Sequence, residues 1–225
     1  MKKLTIIIPA YNEAEYLMVG LPEILQHCKE NNYALIITND ASSDNTKQIL
    51  VDAAATNNFI IINHKVNRGY GGAIKSGICK AQTEYVVTMD ADGQHQLSDI
   101  DNLLKHTLYT DADMIIGSRH KSYSSGIYRE LGKKIIRTIA TMLVSYNVKD
   151  LNSGMKLYNR KFALKYMHLC PDTMAFSDII ALLFINYKLL VTEYPITVKQ
   201  RVSGSSTIGI LTAIETVKKF NMSRP

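Results

Sequence analysis

Residues 4–13 read LTIIIPAYNE and predict a buried strand that leads directly into a loop. Leu4–Ile8 is a nearly continuous apolar run, as in a strand that is covered on both faces. Apolar residues at helical spacing follow from Ala14 to Asn31, and a second strand is predicted at Leu35–Thr38. A strand–helix–strand unit of this kind pairs its strands in parallel, so the loops that follow the two strands lie at one edge of the sheet.

The same alternation continues outward as far as Gly117. Further strands are predicted at Phe59–Asn63, Tyr85–Met89 and Met114–Gly117, and helices at Asp44–Asn57, Ala73–Ala81 and Ser98–Leu108. The expected fold is α/β, a mainly parallel sheet flanked by helices with its ligand site at the carboxyl ends of the strands. Beyond Gly117 we predict helices at Lys133–Tyr146, Phe176–Asn186 and Ile210–Phe220, and a strand at Leu189–Val198 in which Pro195 favours a sheet edge.

The composition is that of an ordinary globular protein and excludes several classes. Hydrophobic residues make up 46% and charged residues 20% of the chain, which argues against disorder. Cys28, Cys79 and Cys170 are scattered without a C-x-x-C pair, which excludes a disulfide scaffold and a cysteine zinc site and suits a reducing cytoplasm. No apolar segment is long enough to span a bilayer.

Positive charge is concentrated in the second half of the chain, although the net charge is only +6. Residues 119–165 contain eleven Lys or Arg against two acids, a net charge of +9, and residues 199–225 carry a net charge of +4. Such a distribution suggests an anionic partner, and phosphate groups, anionic lipid headgroups and nucleic acid all qualify. An ordinary solvated basic face is the alternative.

Two acids follow the predicted strand at Tyr85–Met89, in the segment MDADGQH. Asp90 and Asp92 are spaced i, i+2 at a strand end, where the backbone turns and both carboxylates can converge. Gln94 continues the series with a neutral oxygen. Hard oxygen ligands suit Mg²⁺ or Mn²⁺ shared with substrate phosphates. A polar turn whose acids cap the following helix is the alternative.

A second polar segment, NDASSD at Asn39–Asp44, follows the predicted strand at Leu35–Thr38. A carboxylate there can accept a hydrogen bond from a nucleobase N–H, and we favour this role for Asp40. Helix capping is favoured for the two serines and the last acid of the segment. In the first loop, Tyr11 can stack on a base and Glu13 can cap a helix or form a hydrogen bond.

Glycines and arginines suggest contacts with phosphate. Asn67–Ala73 reads NRGYGGA but lacks the spacing of a Walker A loop, so a flexible turn close to a ligand is predicted. Arg119 follows a strand directly, Arg129 and Lys133 are spaced i, i+4, and Arg201 opens RVSGSS. Arginine binds phosphate through two parallel hydrogen bonds, which makes these residues candidates for gripping phosphate, with ordinary surface arginine as the alternative.

Taken together, the segments resemble a known family. IPAYNE, NDASSD, NRGYGGA, MDADGQH, GSR, DLNSG, EYPI and QRVSGSS fall in the order and spacing seen in family 2 glycosyltransferases. From about Leu4 to about Ser206 the chain looks like the dolichyl-phosphate mannose synthase-like group of polyprenyl-phosphate sugar transferases. The resemblance implies the glycosyltransferase A-type, Rossmann-like fold and an enzyme that binds a nucleotide-sugar and Mg²⁺ or Mn²⁺.

For the donor, the resemblance implies a nucleotide pocket and a diphosphate–metal site. Asp40 would hydrogen-bond the base, and Pro9, Tyr11 and Glu13 would line the pocket. Asp90 would contact the nucleotide or the metal, and the metal ligands would be Asp90, Asp92 and Gln94. One departure concerns the base pocket, because Asn39 stands where the family usually has an acid.

For the acceptor, the resemblance implies that Arg119 and Arg129 hold a phosphate, and Lys133 continues their positive stripe. Arg201 matches an arginine that binds the diphosphate, and Asp150 matches the acid of the D-x-x-S-G segment. The residues expected to carry the reaction are Asp90, Asp92, Asp150 and Arg201. Met155 replaces a common aromatic residue, and we expect none of the C-terminal membrane helices that several relatives carry.

The predicted function is transfer of a sugar, with inversion, from a UDP- or GDP-linked donor to polyprenyl phosphate. We expect one domain over residues 1–225, with a nucleotide-binding half at 1–118 and an acceptor- and membrane-facing half at 119–225. The partners would be the nucleotide-sugar, the polyprenyl phosphate and a membrane surface, but no nucleic acid. The expected location is cytoplasmic, peripheral at the inner face of the membrane, and no oligomeric state is predicted.

Three alternatives remain open. The first is a family 2 transferase that acts on a saccharide hydroxyl in polysaccharide or cell-envelope glycan synthesis, for which an acid such as Asp150 or Asp178 would have to act as base. A nucleotidyltransferase also uses a metal and an α/β sheet, but the Gly-rich first loop usual there is absent at Pro9–Glu13. The third is a catalytically silent protein that binds a nucleotide-sugar or lipid phosphate.

Overall fold

A computed structural model describes residues 2–119 and 148–199 of the chain. The strands in these ranges are β1 (Leu4–Ala10), β2 (Ala34–Asn39), β3 (Ile60–Asn63), β4 (Tyr85–Thr88), β5 (Met114–Arg119), β6 (Lys156–Asn159) and β7 (Val191–Ile196). The α-helices are α1 (Ala14–Glu30), α2 (Thr46–Ala54), α3 (Gly69–Lys80), α4 (Leu97–Thr110), α5 (Arg160–Tyr166) and α6 (Phe176–Asn186).

The strands of the described ranges form one sheet in the order β3-β2-β1-β4-β6-β5-β7. The pairs β1–β2, β1–β4, β2–β3 and β5–β7 are parallel, as the alternation of strands and helices predicts. The carboxyl ends of β1, β2 and β4 therefore lie at one edge, where an open α/β sheet binds its ligands. Pro195 lies in the edge strand β7, which confirms that prediction.

Strand β6 was not predicted, and it determines the architecture around the end of β4. It lies between β4 and β5 and is antiparallel to both. Its first residue, Lys156, pairs with Thr88, the last residue of β4. The turn that precedes β6, residues 150–155, is therefore brought to the same edge as the carboxyl end of β4.

The core consists of two apolar layers, one on each face of the sheet. Ile6 and Ile8 of β1 pack on one face with residues of α1 and α4, and Ile7 packs on the other with residues of α3 and α6. Both faces of β1 are buried, which explains why LTIII is continuously apolar instead of alternating.

Of the helices predicted in the second half, the one at Phe176–Asn186 is confirmed with the same bounds. The helices predicted at Lys133–Tyr146 and Ile210–Phe220 lie outside the described residues. Within residues 2–119 and 148–199, no helix combines the length and the apolar character needed to cross a membrane.

Candidate active site

The loops that follow β1 and β2 hold each other in place. Asn12, at a φ of 57°, accepts the N–H of Ser43 at 2.8 Å through its side-chain oxygen. The N–H of Asn12 donates to the hydroxyl of Ser42 at 3.0 Å, and that of Glu13 donates to the hydroxyl of Thr46 at 2.9 Å. These contacts fix the PAYNE loop and leave the neighbouring ring of Tyr11 50% exposed.

Asp44 satisfies the first N–H groups of two helices. One carboxylate oxygen accepts the N–H of Thr46 at 3.0 Å, and the other accepts the N–H of Ala14 at 3.1 Å. Partial burial acts to raise the pKa of Asp44, but these hydrogen bonds outweigh it and hold the pKa below its usual value. The predicted capping role is confirmed for Asp44, whereas Ser42 and Ser43 bond to the neighbouring loop.

Asp40 follows β2 directly and is buried, with 3% of the residue exposed. Its Oδ1 accepts from the ring of His64 at 2.6 Å and from the N–H of Arg68 at 2.9 Å. Its Oδ2 accepts the N–H of Gly69 at 2.8 Å. The carboxylate thus lies at the N-terminus of α3, where a helix favours negative charge.

The glycines of NRGYGGA form the first turn of α3 instead of the predicted flexible turn. A Cβ atom on Gly69, which has a φ of +81°, would lie 2.6 Å from the carbonyl oxygen of Asp172, and one on Gly71 would lie 2.5 Å from that of Pro171. The N–H of Gly72 donates to the carbonyl of Asp172 at 3.1 Å. The glycines therefore permit close backbone packing, and the N–H groups of Gly69 and Gly72 are bonded within the protein.

Asp90 lies where α3, the turn after β4 and the turn before β6 meet. The hydroxyl of Tyr70 donates to its Oδ1 at 2.9 Å, and Nε2 of His95 lies 3.7 Å from its Oδ2. Burial raises the pKa of Asp90, but the contacts with His95 and Tyr70 outweigh burial and the pKa lies below its usual value. A Cβ atom on Gly154 would overlap Oδ2. Tyr70 and Gly154 belong to the motifs NRGYGGA and DLNSG, but the sequence did not predict that either residue contacts Asp90.

Asp92 and Gln94 complete the turn after β4. The N–H of Gln94 donates to Oδ1 of Asp92 at 3.1 Å. The backbone carbonyl of Gln94 accepts the N–H of Lys199 at 2.8 Å. The side-chain amide nitrogen of Gln94 donates to the carbonyl oxygen of Lys199 at 3.3 Å. Asp92 is buried, whereas Asp90 is only partly buried. Asp90 is therefore the more accessible acid of the pair.

Arg119 and Asp150 form a bidentate ion pair. Nε of Arg119 lies 2.7 Å from Oδ2 of Asp150, and Nη2 lies 2.8 Å from Oδ1. The hydrogen bonds that Arg119 donates to Asp150 raise the pKa of Arg119. Burial raises the pKa of Asp150, but the bonds from Arg119 outweigh burial and lower it. The pair uses two of the five N–H donors of the guanidinium group.

A buried lysine that no sequence motif predicts as a site residue lies beneath this turn. Lys156 is 0% exposed, and its ammonium group donates to the carbonyl of Leu151 at 2.8 Å, to that of Ser153 at 2.5 Å and to the hydroxyl of Ser177. Burial lowers the pKa of Lys156 to about 8, against the raising effect of Asp178. A lysine is usually exposed, so the burial of Lys156 can be recognised only from the groups that bond to it in the structure.

Asp178 belongs to the same buried cluster. It is 1% exposed, and the amide of Asn152, oriented to donate, places its nitrogen 2.5 and 2.7 Å from the two carboxylate oxygens. These contacts make Asp178 a buried partner for the amide and for the Lys156 cation rather than a base at the surface of the site.

The residues at the end of β4 fit a cation that is shared with a substrate. In residues 2–119 and 148–199, no three His, Cys, Asp or Glu side chains are grouped closely enough to hold a metal ion by themselves. Mg²⁺ in phosphate-transferring sites commonly has one or two carboxylate ligands, with phosphate oxygens and water as the others. Two acids and an amide on one short turn provide this donor chemistry for Mg²⁺ or Mn²⁺.

Of the remaining predicted site residues, some lie within the described ranges and others lie outside them. Pro9 lies in β1 and pairs with Thr38 of β2, so it is at the edge that carries Asp40. Arg129, Lys133 and Arg201 lie outside the described residues. Of the predicted acceptor residues, the structure therefore places Arg119 alone among the described ranges.

Comparisons with known proteins agree on one family. The model of the family described as glycosyl transferase family 2 matches residues 5–167. The chain is 29% identical to an uncharacterized protein of Methanocaldococcus jannaschii, over 97% of this chain and 91% of that protein. It is 31% identical to the undecaprenyl-phosphate 4-deoxy-4-formamido-L-arabinose transferase of Photorhabdus laumondii, over 80% of this chain and 56% of that protein. The protein of the same name from Proteus mirabilis is 29% identical, over 95% of this chain and 65% of that protein. The chain spans less than two thirds of both transferases.

Solved structures share the fold at low identity. Glucosyl-3-phosphoglycerate synthase from Mycobacterium tuberculosis, in complex with Mn²⁺, UDP and phosphoglyceric acid, has a TM-score of 0.74 and 12% identity, over 98% of this chain and 78% of that chain. TarS from S. aureus in complex with UDP has a TM-score of 0.67 and 14% identity, over 98% and 64%. The predicted fold, the glycosyltransferase A-type, is confirmed.

Proposed function

The chain belongs to glycosyl transferase family 2 and is a glycosyltransferase, and from this premise we propose that it transfers a sugar from a UDP- or GDP-linked donor to a polyprenyl phosphate. The reaction would invert the anomeric carbon, because the acceptor attacks from the face opposite the leaving diphosphate. The relatives named undecaprenyl-phosphate transferases support this acceptor.

One structural observation carries the proposal. The turn at residues 150–155 contacts both candidate half-sites, because Gly154 packs against Asp90 and Asp150 binds Arg119. Asp90 belongs to the proposed donor site and Arg119 to the proposed acceptor site. A single short turn thus holds an acidic donor site and a cationic acceptor site side by side, as a transfer between two anionic substrates requires.

The residues at the proposed donor site would each have a distinct role. Asp40 would bind the base, and Pro9, Tyr11 and Glu13 would line the nucleotide pocket. Asp90, Asp92 and Gln94 would hold Mg²⁺ or Mn²⁺, whose charge offsets that of the leaving diphosphate.

Arg201 follows Lys199 by two residues in the sequence, and Lys199 is hydrogen bonded to Gln94. We therefore propose that Arg201 contributes positive charge to the same diphosphate.

On the acceptor side, Arg119, Arg129 and Lys133 would hold the phosphate of the lipid. The ion pair with Asp150 orients Arg119 and, within the part of the chain that the structure describes, uses two of its five guanidinium N–H donors. A phosphate monoester carries between one and two negative charges near neutral pH, so it can attack without a general base. Asp150 would then act by orienting Arg119.

A saccharide hydroxyl is the second candidate acceptor, and the geometry favours it less. A hydroxyl needs a base, yet Asp150 is engaged by Arg119 and Asp178 is buried against Asn152. Neither carboxylate is placed as an accessible base.

The test is a transfer assay that offers one radiolabelled nucleotide-sugar, with Mn²⁺, to polyprenyl phosphate, free polyprenol and a saccharide. Product on polyprenyl phosphate, abolished by excess EDTA, is the expected result. Product on the saccharide alone would contradict the lipid acceptor and support the second candidate. Release of pyrophosphate instead of a nucleoside diphosphate would indicate a nucleotidyltransferase.

We also propose a peripheral position at the inner face of the cytoplasmic membrane, supported by the net charge of +9 on residues 119–165. Each basic residue near an anionic surface contributes about 1 kcal/mol, so several suffice for salt-sensitive binding. Co-sedimentation with anionic vesicles should fall as salt rises. Equal binding to neutral and anionic vesicles would contradict an electrostatic attachment.

Replacing Arg119 with alanine should raise the KM for polyprenyl phosphate. A charge-assisted hydrogen bond contributes about 1.5–3 kcal/mol, which corresponds to roughly ten- to a hundredfold in KM. The affinity for UDP or GDP should change little, because the donor residues are intact. Arg160→Ala is the matched control, since Arg160 bonds to the carbonyls of Ile78 and Cys79 and its loss should leave this KM unchanged. A normal lipid KM in Arg119→Ala would remove Arg119 from the acceptor site.

A further inference from the structure

The carboxylate of Asp40 has capacity for one more hydrogen bond beyond its described contacts. An ionised carboxylate offers about four lone-pair positions. Oδ1 uses two, for the His64 ring at 2.6 Å and the N–H of Arg68 at 2.9 Å. Oδ2 uses one, for the N–H of Gly69 at 2.8 Å. A ligand that bonds to this side chain must therefore meet Oδ2 and must offer a donor.

His64 is held at both ends of its ring. The residue follows β3, and its N–H donates to the carbonyl of Asn39 at 3.0 Å. Nδ1 faces Asp40 at 2.6 Å and Nε2 faces the hydroxyl of Ser76 on α3 at 2.8 Å, with the side chain only 7% exposed. Because a carboxylate only accepts, Nδ1 carries a proton. Ser76 prevents the ring from turning, so the ring fixes the plane of the Asp40 carboxylate.

We propose that His64 is a positioning residue for nucleobase recognition, holding Asp40 so that Oδ2 accepts the ring N–H of uracil or guanine. The inference rests on the proposed function, because it takes Asp40 as the residue that contacts the base. At the ring position where uracil carries N–H, cytosine presents a bare nitrogen, which a carboxylate oxygen repels. The ligand class is therefore a nucleoside diphosphate whose base has a ring N–H.

Without His64, Oδ1 keeps only the N–H of Arg68, and the carboxylate gains freedom to rotate. Both the affinity for the base and the discrimination against cytosine should then fall. The chemical step should be nearly unaffected, because a contact with the base is equally strong in the ground state and the transition state. A KM effect without a kcat effect thus separates positioning of the base from general disruption of the site.

The experiment titrates UDP, GDP and CDP, each with Mn²⁺, against the wild type and against His64→Ala and His64→Asn by calorimetry. The wild type should bind UDP or GDP more tightly than CDP. His64→Ala should weaken binding of the preferred nucleotide by about ten- to a hundredfold and reduce its preference over CDP. His64→Asn, whose amide N–H can replace Nδ1–H, should restore most of both. Donor KM should follow these affinities at nearly constant kcat.

His27→Ala is the matched control, because the side chain of His27 is only 14% exposed and its Nε2 lies 3.2 Å from a carboxylate, that of Asp101. Its loss should leave nucleotide affinity unchanged. If His64→Ala does not fold, Ser76→Ala tests the same contact chain and should give a smaller loss of affinity and preference. Unchanged affinity and preference in the His64 variants, with a wild type that discriminates, would overturn the inference. A wild type that binds none of the three nucleotides would instead overturn the proposed function.

Discussion

Replacing Gly154 with alanine should lower kcat/KM for sugar transfer by about a hundredfold, because a displacement of about 1 Å in a reacting group can have that effect. A Cβ atom at this position would overlap Oδ2 of Asp90. The overlap can be relieved only if the Asp90 side chain or the turn before β6 moves. Both movements disturb the proposed metal–diphosphate site, so UDP or GDP binding in the presence of Mn²⁺ should weaken in parallel. Steady-state kinetics and calorimetry measure the two effects.

Gly77→Ala provides the matched control for this variant. A Cβ atom on Gly77 would overlap a methyl group of Ile7 in the core, so the change is equally crowded but lies away from the proposed site. Overpacking of this kind costs about 1–3 kcal/mol of stability. Gly77→Ala should therefore melt at a lower temperature and keep its activity per folded molecule. Near wild-type kcat/KM in folded Gly154→Ala would show that the contact with Asp90 does not position the reaction.

Sequence patterns predict the features that depend on local spacing. The apolar run Leu4–Ile8 and the acids that follow Tyr85–Met89 identify parallel strands and the edge at which their loops meet. Parallel pairing of these strands and the position of the ligand site at their carboxyl ends follow from the rules for α/β sheets without any long-range contact. Asp40 and Asp90 could therefore be singled out before the fold was known.

Contacts between distant segments are what the patterns did not predict. Asp40 was singled out for a ligand, yet its donors His64, Arg68 and Gly69 lie 24 to 29 residues away. Arg119 was assigned to a phosphate, and its partner Asp150 is 31 residues away. Hydrogen bonds and ion pairs across such separations leave no periodic signal in the sequence, because neither partner by itself indicates the other.

Strand β6 was missed for a related reason. Lys156–Asn159 reads KLYN, which is short and begins with a residue type that rarely enters a core. The strand exists because carbonyls and a hydroxyl from the neighbouring turn and from α6 accept hydrogen bonds from the lysine. The burial of Lys156 therefore depends on tertiary contacts and cannot be predicted from the four residues of the strand alone.

Lys156→Met should lower the free energy of unfolding by about 3–5 kcal/mol at neutral pH, the usual cost of removing one partner from a buried ionic cluster. The ammonium group of Lys156 bonds to the carbonyls of Leu151 and Ser153 and to the hydroxyl of Ser177. Methionine fills a similar volume, so the loss arises mainly from the lost charge-assisted hydrogen bonds and from an uncompensated charge on Asp178. The Ser153 carbonyl would keep the hydrogen bond from the Ser177 hydroxyl at 2.9 Å. Urea denaturation measures the change. Lys161→Met, which alters an exposed lysine on α5, should stay within about 0.5 kcal/mol of the wild type.

The lowered pKa of Lys156 predicts that the free energy of unfolding depends on pH in an unusual way. This dependence distinguishes the effect of the lysine's charge from the effect of its packing. Its folded pKa of about 8 lies below the value of roughly 10.4 for an unfolded lysine. Between these values the unfolded chain binds more protons than the folded one, so the contribution of Lys156 to stability rises with pH, by at most about 1.4 kcal/mol per pH unit. The difference in unfolding free energy between the wild type and Lys156→Met should therefore widen from pH 8 to pH 10. A constant difference over that range would show that Lys156 keeps an ordinary pKa in the folded protein.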